Sequence, residues 1–378
     1  MDKKLIWMVK SQLISNTRRK LAELSEREDL FDTSTIDFES DEYKFAKENY
    51  DKAHEKGCEI VTYIDDLYPD KLKNLSSPPA FLYVRGNASV LKNTVFTGIV
   101  GARKSDMYGI RMAENIAMEI GQTGAGIISG GARGIDTASH RGAMLANTVT
   151  VAVLGCGLDV CYPPENKELF DKIAESGGAL ISEYPFSMEA LKNNFPRRNR
   201  IIAALSTALV VVRAAYRSGS LITASQAADL GVTVFSVPGN IDDGLSRGTN
   251  ELIRDGANVL LSAMDVIDEL IDKEPDFFLA DKEKELSVCE KTEKKPEETV
   301  KSSVNTAGLS EYEAEIVNII NDGVQTQNLI EEKISFEPSR LTALLGMMEI
   351  KGIIKKRPDK KYIITTGGDA NGKLSCNS

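Results

Sequence analysis

Five short turns hold most of the residues in this chain that could do chemistry. Gly101-Ala102-Arg103-Lys104-Ser105 follows the run TGIV, and Ser129-Gly130-Gly131-Ala132-Arg133-Gly134-Ile135-Asp136 closes the run GIIS. Leu154-Gly155-Cys156-Gly157 ends a third apolar run, Arg217-Ser218-Gly219-Ser220 comes shortly after ALVVV, and Pro238-Gly239-Asn240 follows VFSV. Glycine lets a backbone turn tightly with its N–H groups outward, and a helix that follows adds the positive end of its dipole. Together they make a phosphate cradle, to which an arginine in the turn adds counter-charge. A single such turn is as easily a tight connection. Five at one edge of a sheet predict a ligand with several phosphates, or phosphates at several places. Ser218 and Ser220, with Arg217 beside them, fit either a helix cap or a phosphate contact.

The segment Leu191–Ile202 concentrates Lys192, Arg197, Arg198 and Arg200 around one aromatic, Phe195. Lysine and arginine pair with phosphates while a phenyl face stacks on an unpaired base, the usual combination for single-stranded nucleic acid. The same pattern also fits a ring that staples a helix start, with arginines on a solvated face.

Other chemistries lack their residues. GGARGID does not have the G-x-G-x-x-G spacing of a dinucleotide site, and no G-x-x-x-x-G-K-[ST] occurs, which speaks against hydride transfer and against a P-loop nucleotidase. His54 and His140 are the only histidines. Asp136 and His140 stand four apart on an expected helix but have no evident nucleophile, so Asp136 reads as a cap and His140 as a packing residue. Cys58, Cys156, Cys161, Cys289 and Cys376 form no CxxC pair, which argues against a disulfide framework and a structural zinc site. Cys156 and Cys161, flanking a glycine turn, read as small apolar fillers. No catalytic residue, metal or cofactor is expected.

The elements that must position these turns follow from the hydrophobic pattern. Short β-branched runs at 94–100, 126–129, 148–154, 179–182, 208–212, 232–237 and 257–261 alternate with helix-length stretches at 106–121, 136–146, 165–176, 197–205 and 220–230. Uninterrupted apolar strands with helical crossovers mean a parallel sheet covered on both faces, in which ligands bind beyond the carboxyl ends of the strands. The expected fold is therefore α/β: an extended Rossmann-like, doubly wound, mostly parallel sheet. Residues 1–76 show helical periodicity and predict a small helical domain, with the Rossmann-like domain at 77–275. A charged flexible linker is expected at 276–305, a winged helix at 306–366 with helices at 311–321, 326–333 and 338–351 and a β-ribbon of 353–356 and 361–365, and a disordered tail at 367–378.

The chain has 378 residues, 42% of them hydrophobic, and a formal net charge of −10. That excess of negative charge speaks at first against a polyanion ligand. Its distribution says otherwise. Residues 1–76 carry 13 basic and 17 acidic side chains, 276–300 carry 5 and 8, and the central 77–275 carry 18 and 21. Most of the negative excess thus lies outside the central block, whose arginines cluster in the turns. No run approaches the ~18 apolar residues of a membrane span, and the first residues lack a signal peptide's long apolar region. A cytoplasmic protein with no membrane partner is expected.

These motifs resemble those of the DprA/Smf family of DNA-processing proteins. The resemblance runs in order through YPDKLKNLSSPPAFLYVRGN, GIVGARKSDMYG, ISGGARGIDTASHRGAM, VLGCGLDVCYPPEN, ISEYPF, NFPRRNRIIAALS, RSGSLITASQA and VPGNIDDGLSRGTNELIRDGA, about 200 residues. It implies an extended Rossmann domain that binds single-stranded DNA, protects incoming DNA and loads the RecA recombinase onto it in natural transformation. It implies a homodimer through the Rossmann domain, no catalytic activity, and in many members a SAM-like N-terminal domain. The family's DNA pocket maps onto Gly101, Arg103, Ser129, Gly130, Arg133, Gly134, Lys192, Phe195, Arg197 and Asn199. Arg217, Ser218 and Gly219 join them from the turn chemistry above. One departure is Arg213, where the family usually has an acidic residue. Two rival readings remain: a phosphoribohydrolase acting on nucleoside monophosphates, for which the chain has VPGNIDDGLSRGTNE rather than PGGxGT, and a protein-binding scaffold whose basic turns are neutralised internally.

Overall fold

In the central strands, neighbouring residues enter two different hydrophobic cores. The structure, a computed structural model, describes residues 1–14, 17–278, 311–321, 330, 333, 341, 344–345, 348–349, 353–356 and 362–364. The described residues fall into two compact units, divided between Thr292 and Glu293. In the first, nine strands form one sheet: β1 (Glu59–Thr62), β2 (Phe81–Gly86), β3 (Phe96–Val100), β4 (Gly126–Ser129), β5 (Thr150–Leu154), β6 (Ala179–Ser182), β7 (Ser206–Val211), β8 (Thr233–Ser236) and β9 (Asn258–Val259). Its helices are α1 (Lys3–Gln12), α2 (Arg18–Ser25), α3 (Asp41–Glu55), α4 (Asp70–Lys73), α5 (Val90–Asn93), α6 (Met107–Gly121), α7 (Ile135–Leu145), α8 (Lys167–Glu175), α9 (Asn194–Leu205), α10 (Gly219–Asp229), α11 (Arg247–Arg254) and α12 (Ala263–Lys273).

Val100, Ile128, Leu209 and Val211 pack on one face of the sheet with Ile201, Leu205, Ala224 and Ala227 of α9 and α10. Ile99, Ile127, Val210 and Val212 pack on the other with Ile116, Ile120, Ile135 and Val266 of α6, α7 and α12. Each fully buried aliphatic side chain contributes roughly 1.5–3 kcal/mol, and burial on both faces explains the unbroken apolar runs. Helix α6 shows the matching helical pattern. Asp106 accepts a hydrogen bond from the Gly109 N–H at 3.0 Å as its N-cap, and Ala113, Ile116, Ala117 and Ile120 form its buried stripe.

The strand order is β1-β2-β6-β5-β4-β3-β7-β8-β9, parallel from β6 through β9 and antiparallel at β1–β2 and β2–β6. The chain winds from β3 outward through β4, β5 and β6, then returns to β7 on the opposite side of β3. The connections leaving β3 and β7 therefore diverge, which opens a crevice at the carboxyl edge between them.

The expected boundary at 76/77 runs through this sheet. Glu59–Thr62, within the stretch read as helical, is β1 and pairs with β2, while Trp7 of α1 is fully buried and its indole N–H donates to the Ala80 carbonyl at 2.7 Å. A four-residue edge strand lacks the length to show its own period beside strong helical signals. In the second unit, α13 (Glu311–Asn321) and the antiparallel pair β10 (Ile354–Lys356) and β11 (Tyr362–Ile364) coincide with the expected first helix and ribbon. Ile316, Val317, Ile320, Ile330, Leu345, Met348, Ile354 and Tyr362 share one core there. The expected helices at 326–333 and 338–351 fall largely outside the described residues, as do most of the linker and all of the expected tail at 367–378. No described helix is long and apolar enough to cross a membrane.

Candidate functional site

A cleft of about 620 Å³ lies at the divergence of the connections after β3 and β7. Gly101 and Arg103 of the first turn, Ser218 and Gly219 of the fourth, and Lys192, Phe195 and Asn199 at the start of α9 all line it. Seven residues expected at a binding site thus meet in one place, although the chain separates the first and last by more than a hundred positions.

Fold chemistry sets each of them. Ser218 caps α10, its hydroxyl accepting from the Ser220 N–H at 3.4 Å, so the positive end of an eleven-residue helix opens at the cleft wall. Gly219 has open space where a Cβ would stand. Asn199 donates to the Gly219 carbonyl at 3.4 Å and ties α9 to α10. Phe195 is half-buried: it packs against Gly155, with Tyr162 at 5.6 Å and the Arg103 guanidinium 4.5 Å from its centroid. Arg103 and Lys192 are exposed.

The second turn reaches the cleft through Ala132 and Asp136, but the residues expected to bind from it do not line it. Ser129 is fully buried and donates to the Ile99 carbonyl at 2.6 Å. A Cβ on Gly130 would stand 2.6 Å from Arg198 Nη2 and 2.7 Å from Asp136 Oδ2. Gly134 has φ +76°, and a Cβ there would come within 2.4 Å of the Ala102 carbonyl. Close approach to neighbouring segments of the protein requires glycine at these positions. Gly101 is similar, facing Ile135. Arg133 is exposed and forks onto Glu165. Arg197 and Arg217 are exposed outside the cleft lining.

The basic run of α9 divides in two. Arg198 is buried at 4% exposure and donates to the Gly130 and Val153 carbonyls, and burial brings its guanidinium down to about 10 against the opposing pull of Asp136. It is still charged at neutral pH. Arg200 pairs with Glu183 at 2.5 Å. Asp136, buried beneath the turn, accepts from the Ala132 N–H at 3.2 Å, and burial raises its carboxyl above the ordinary range despite Arg198. Among the described residues lining the cleft it is the one acid. His140 is fully buried against Thr150 Oγ1 at 2.7 Å, and burial pushes its imidazole down to about 3, so it stays neutral in the native protein. Cys156 is buried and its thiol is pushed up to about 11, whereas Cys161 is exposed rather than a buried filler.

Arg213, the departure noted in sequence, occupies the floor beside the cleft. Its guanidinium pairs with Asp106 at 2.6 Å and Asp243 at 2.5 Å, and it donates to the Ser246 hydroxyl. Its backbone carbonyl accepts from the Ala102 N–H at 2.8 Å. This arginine therefore ties the first turn to the loop after β8 instead of facing the cleft. Sequence reading missed Tyr162 in the cleft wall. The only signal for it was an aromatic before Pro163-Pro164, five residues past the third glycine turn.

A family model described as DNA recombination-mediator protein A matches residues 59–271. The chain is 41% identical over 206 residues to the DNA processing protein DprA of Streptococcus pneumoniae, covering 54% of this chain and 72% of that one. It is 39% identical over 216 residues to that of Bacillus subtilis, covering 57% and 72%. The crystal structure of the Streptococcus pneumoniae protein superposes with a TM-score of 0.59 at 34% identity, covering 71% of this chain and 98% of that one. A structure of the Helicobacter pylori protein, described for its single-stranded DNA binding mode, superposes with a TM-score of 0.52 at 28% identity, covering 57% and 96%.

Proposed function

The chain belongs to the DNA recombination-mediator protein A family, the DprA/Smf DNA-processing proteins, and from that premise we propose that it binds single-stranded DNA in the cleft between the β3 and β7 connections. The observation that carries this reading is the convergence of exposed Arg103 and Lys192, the α10 N-terminus and the Phe195 ring on one cavity. Phosphates pair with Arg103, Lys192 and the Gly219 N–H at the start of α10, the Ser218 N–H being given to the Ala215 carbonyl. A base replaces Arg103 on the Phe195 face as that guanidinium turns to a phosphate, a swap that loses one cation–π contact of roughly 0.5–1 kcal/mol and gains a stack of about 1–3 kcal/mol.

The role is binding rather than catalysis. Asp136, the acid of the cleft wall, is buried and committed to the Ala132 N–H, and His140 is sealed against Thr150. Neither is available to assist glycosidic cleavage in the manner of a phosphoribohydrolase. Acting as a homodimer through its Rossmann domain, the protein protects incoming single strands and hands them to RecA.

A gel shift with single-stranded and duplex oligonucleotides, each with and without RecA, tests this. The expected result is a single-strand shift that weakens steeply with salt, and faster RecA filament formation on strands bound by the protein. Equal affinity for duplex, or no shift at low salt, would reject the single-strand reading. A shift with no effect on RecA would reject the hand-over alone.

A further inference from the structure

Beyond the cleft, Tyr216 stands half exposed at 52% between two guanidinium groups, Arg217 at 5.1 Å and Arg247 at 4.9 Å from its ring centroid. Local packing builds this cluster. The Ala214 N–H donates to the Leu245 carbonyl at 2.8 Å, and the Gly248 N–H donates back to the Ala214 carbonyl at 2.8 Å. Gly248 is buried, and a Cβ there would come within 2.7 Å of the Ala214 and Ala215 carbonyls, so the first turn of α11 lies flush on the chain and delivers Arg247 to the ring. Arg217 itself has φ +61°, a left-handed conformation that a non-glycine residue uncommonly adopts.

The cluster keeps a net positive charge, two guanidinium groups against one carboxylate. Among the described carboxylates only Glu251, 3.6 Å from Arg247 Nε, is in ion-pair range of either arginine. Asp243, in the loop just before α11, is committed to Arg213. The cluster is also continuous with the cleft: Tyr216 is two residues from Ser218, at most about 7 Å along the backbone, the rise of about two stacked nucleotides.

The geometry points to a second subsite for the same single strand, with Tyr216 stacking on a base and Arg217 and Arg247 pairing with the phosphates on either side. The strand leaves the cleft over Ser218 and Gly219 and runs on toward α11. An aromatic ring between two exposed guanidinium groups that share a single carboxylate fits a polyanion carrying flat bases better than it fits an apolar protein surface. The inference rests on the single-strand reading of the cleft and lengthens it.

Oligo(dT) of about 4 and about 12 nucleotides, within the usual range of single-strand site sizes, separates the two sites in the full-length protein. Tyr216→Ala is expected to leave the short oligonucleotide's Kd unchanged and to weaken the long one about 5- to 150-fold, with Tyr216→Phe restoring it. Arg247→Gln is expected to lower the salt slope for the long oligonucleotide alone by about 0.7, one single-strand phosphate. Equal loss at both lengths would overturn the subsite by making Tyr216 a support of the cleft. No loss at either length would overturn it too and leave the cluster to a protein partner. If the wild-type chain binds neither length, the single-strand reading itself fails and the subsite with it.

Discussion

The basic run from Lys192 to Arg200 has an outer side and an inner side, and the two do opposite things with the same kind of side chain. On the outer side Lys192 lines the cleft and Arg197 faces solvent, without a carboxylate partner among the described residues. On the inner side Arg198, buried in the cleft wall, is bonded to the Gly130 and Val153 carbonyls, and partly buried Arg200 pairs with Glu183. An exposed cation is solvated, mobile and free to exchange water for phosphate. A buried one has already exchanged water for protein oxygens and has fewer donors left for a ligand. Charge counted from sequence therefore overstates what a site can bind, and Arg198 ties the second turn to α9, the helix whose start presents Phe195.

The strongest way to break that distinction is Arg198→Ala. It leaves two buried carbonyls unpaired above a new cavity and is expected to cost about 3–5 kcal/mol in urea unfolding. A cost under about 1 kcal/mol would mean that the inner side is no support at all.

Next is an effect of pH. Burial, with the Arg198 charge adding to it, holds the His140 imidazole down to about 3, while the unfolded chain titrates near 6.5. As pH falls below about 6.5 the unfolded state takes up a proton that the native state refuses. Stability present at neutral pH is therefore lost downward from about 6.5 through about 3, at about 1.4 kcal/mol per unit. His140→Gln should flatten unfolding free energies measured between pH 6 and 5, and an unchanged slope would place the titration elsewhere.

The outer side is read by binding. Arg103→Ala and Lys192→Ala should each lower the oligo(dT) salt slope by about 0.7 while leaving stability within about 0.5 kcal/mol. Unchanged slopes in both would remove them from the cleft chemistry. Arg197→Ala should be the mildest of the series, within about 0.5 kcal/mol in stability and weaker in its effect on binding than either cleft residue. A larger binding loss than Lys192→Ala would extend the outer surface past the cleft wall.

The central strands were legible because both faces of the sheet are buried. Gly126–Ser129 and Ala179–Ser182 fall where the apolar runs put them, and β3, β5, β7 and β8 differ from expectation only at their ends. Strand β1 was hidden, since EIVT is short and sits amid helical periodicity, and β2 was passed over behind Pro78-Pro79. Of the candidate site residues, seven meet in the cleft, from the turn after β3 and the starts of α9 and α10. Ser129, Gly130 and Gly134 carry the same turn chemistry but face neighbouring chain. Residue type marks a turn, and it cannot say on which side of the turn the empty space lies.

The sequence by itself determined the α/β class, the parallel order of elements and the edge at which the glycine turns gather, because hydrophobic period and turn chemistry are local properties. Only the tertiary structure decided which turns open to a ligand and which arginines remain free. Both depend on contacts between residues far apart in the chain: Arg198 with Val153, Arg213 with Asp106, and Tyr216 with Arg247. Burial and pairing are properties of the assembled molecule, and the same guanidinium group serves as a ligand contact or as a structural strut according to what surrounds it.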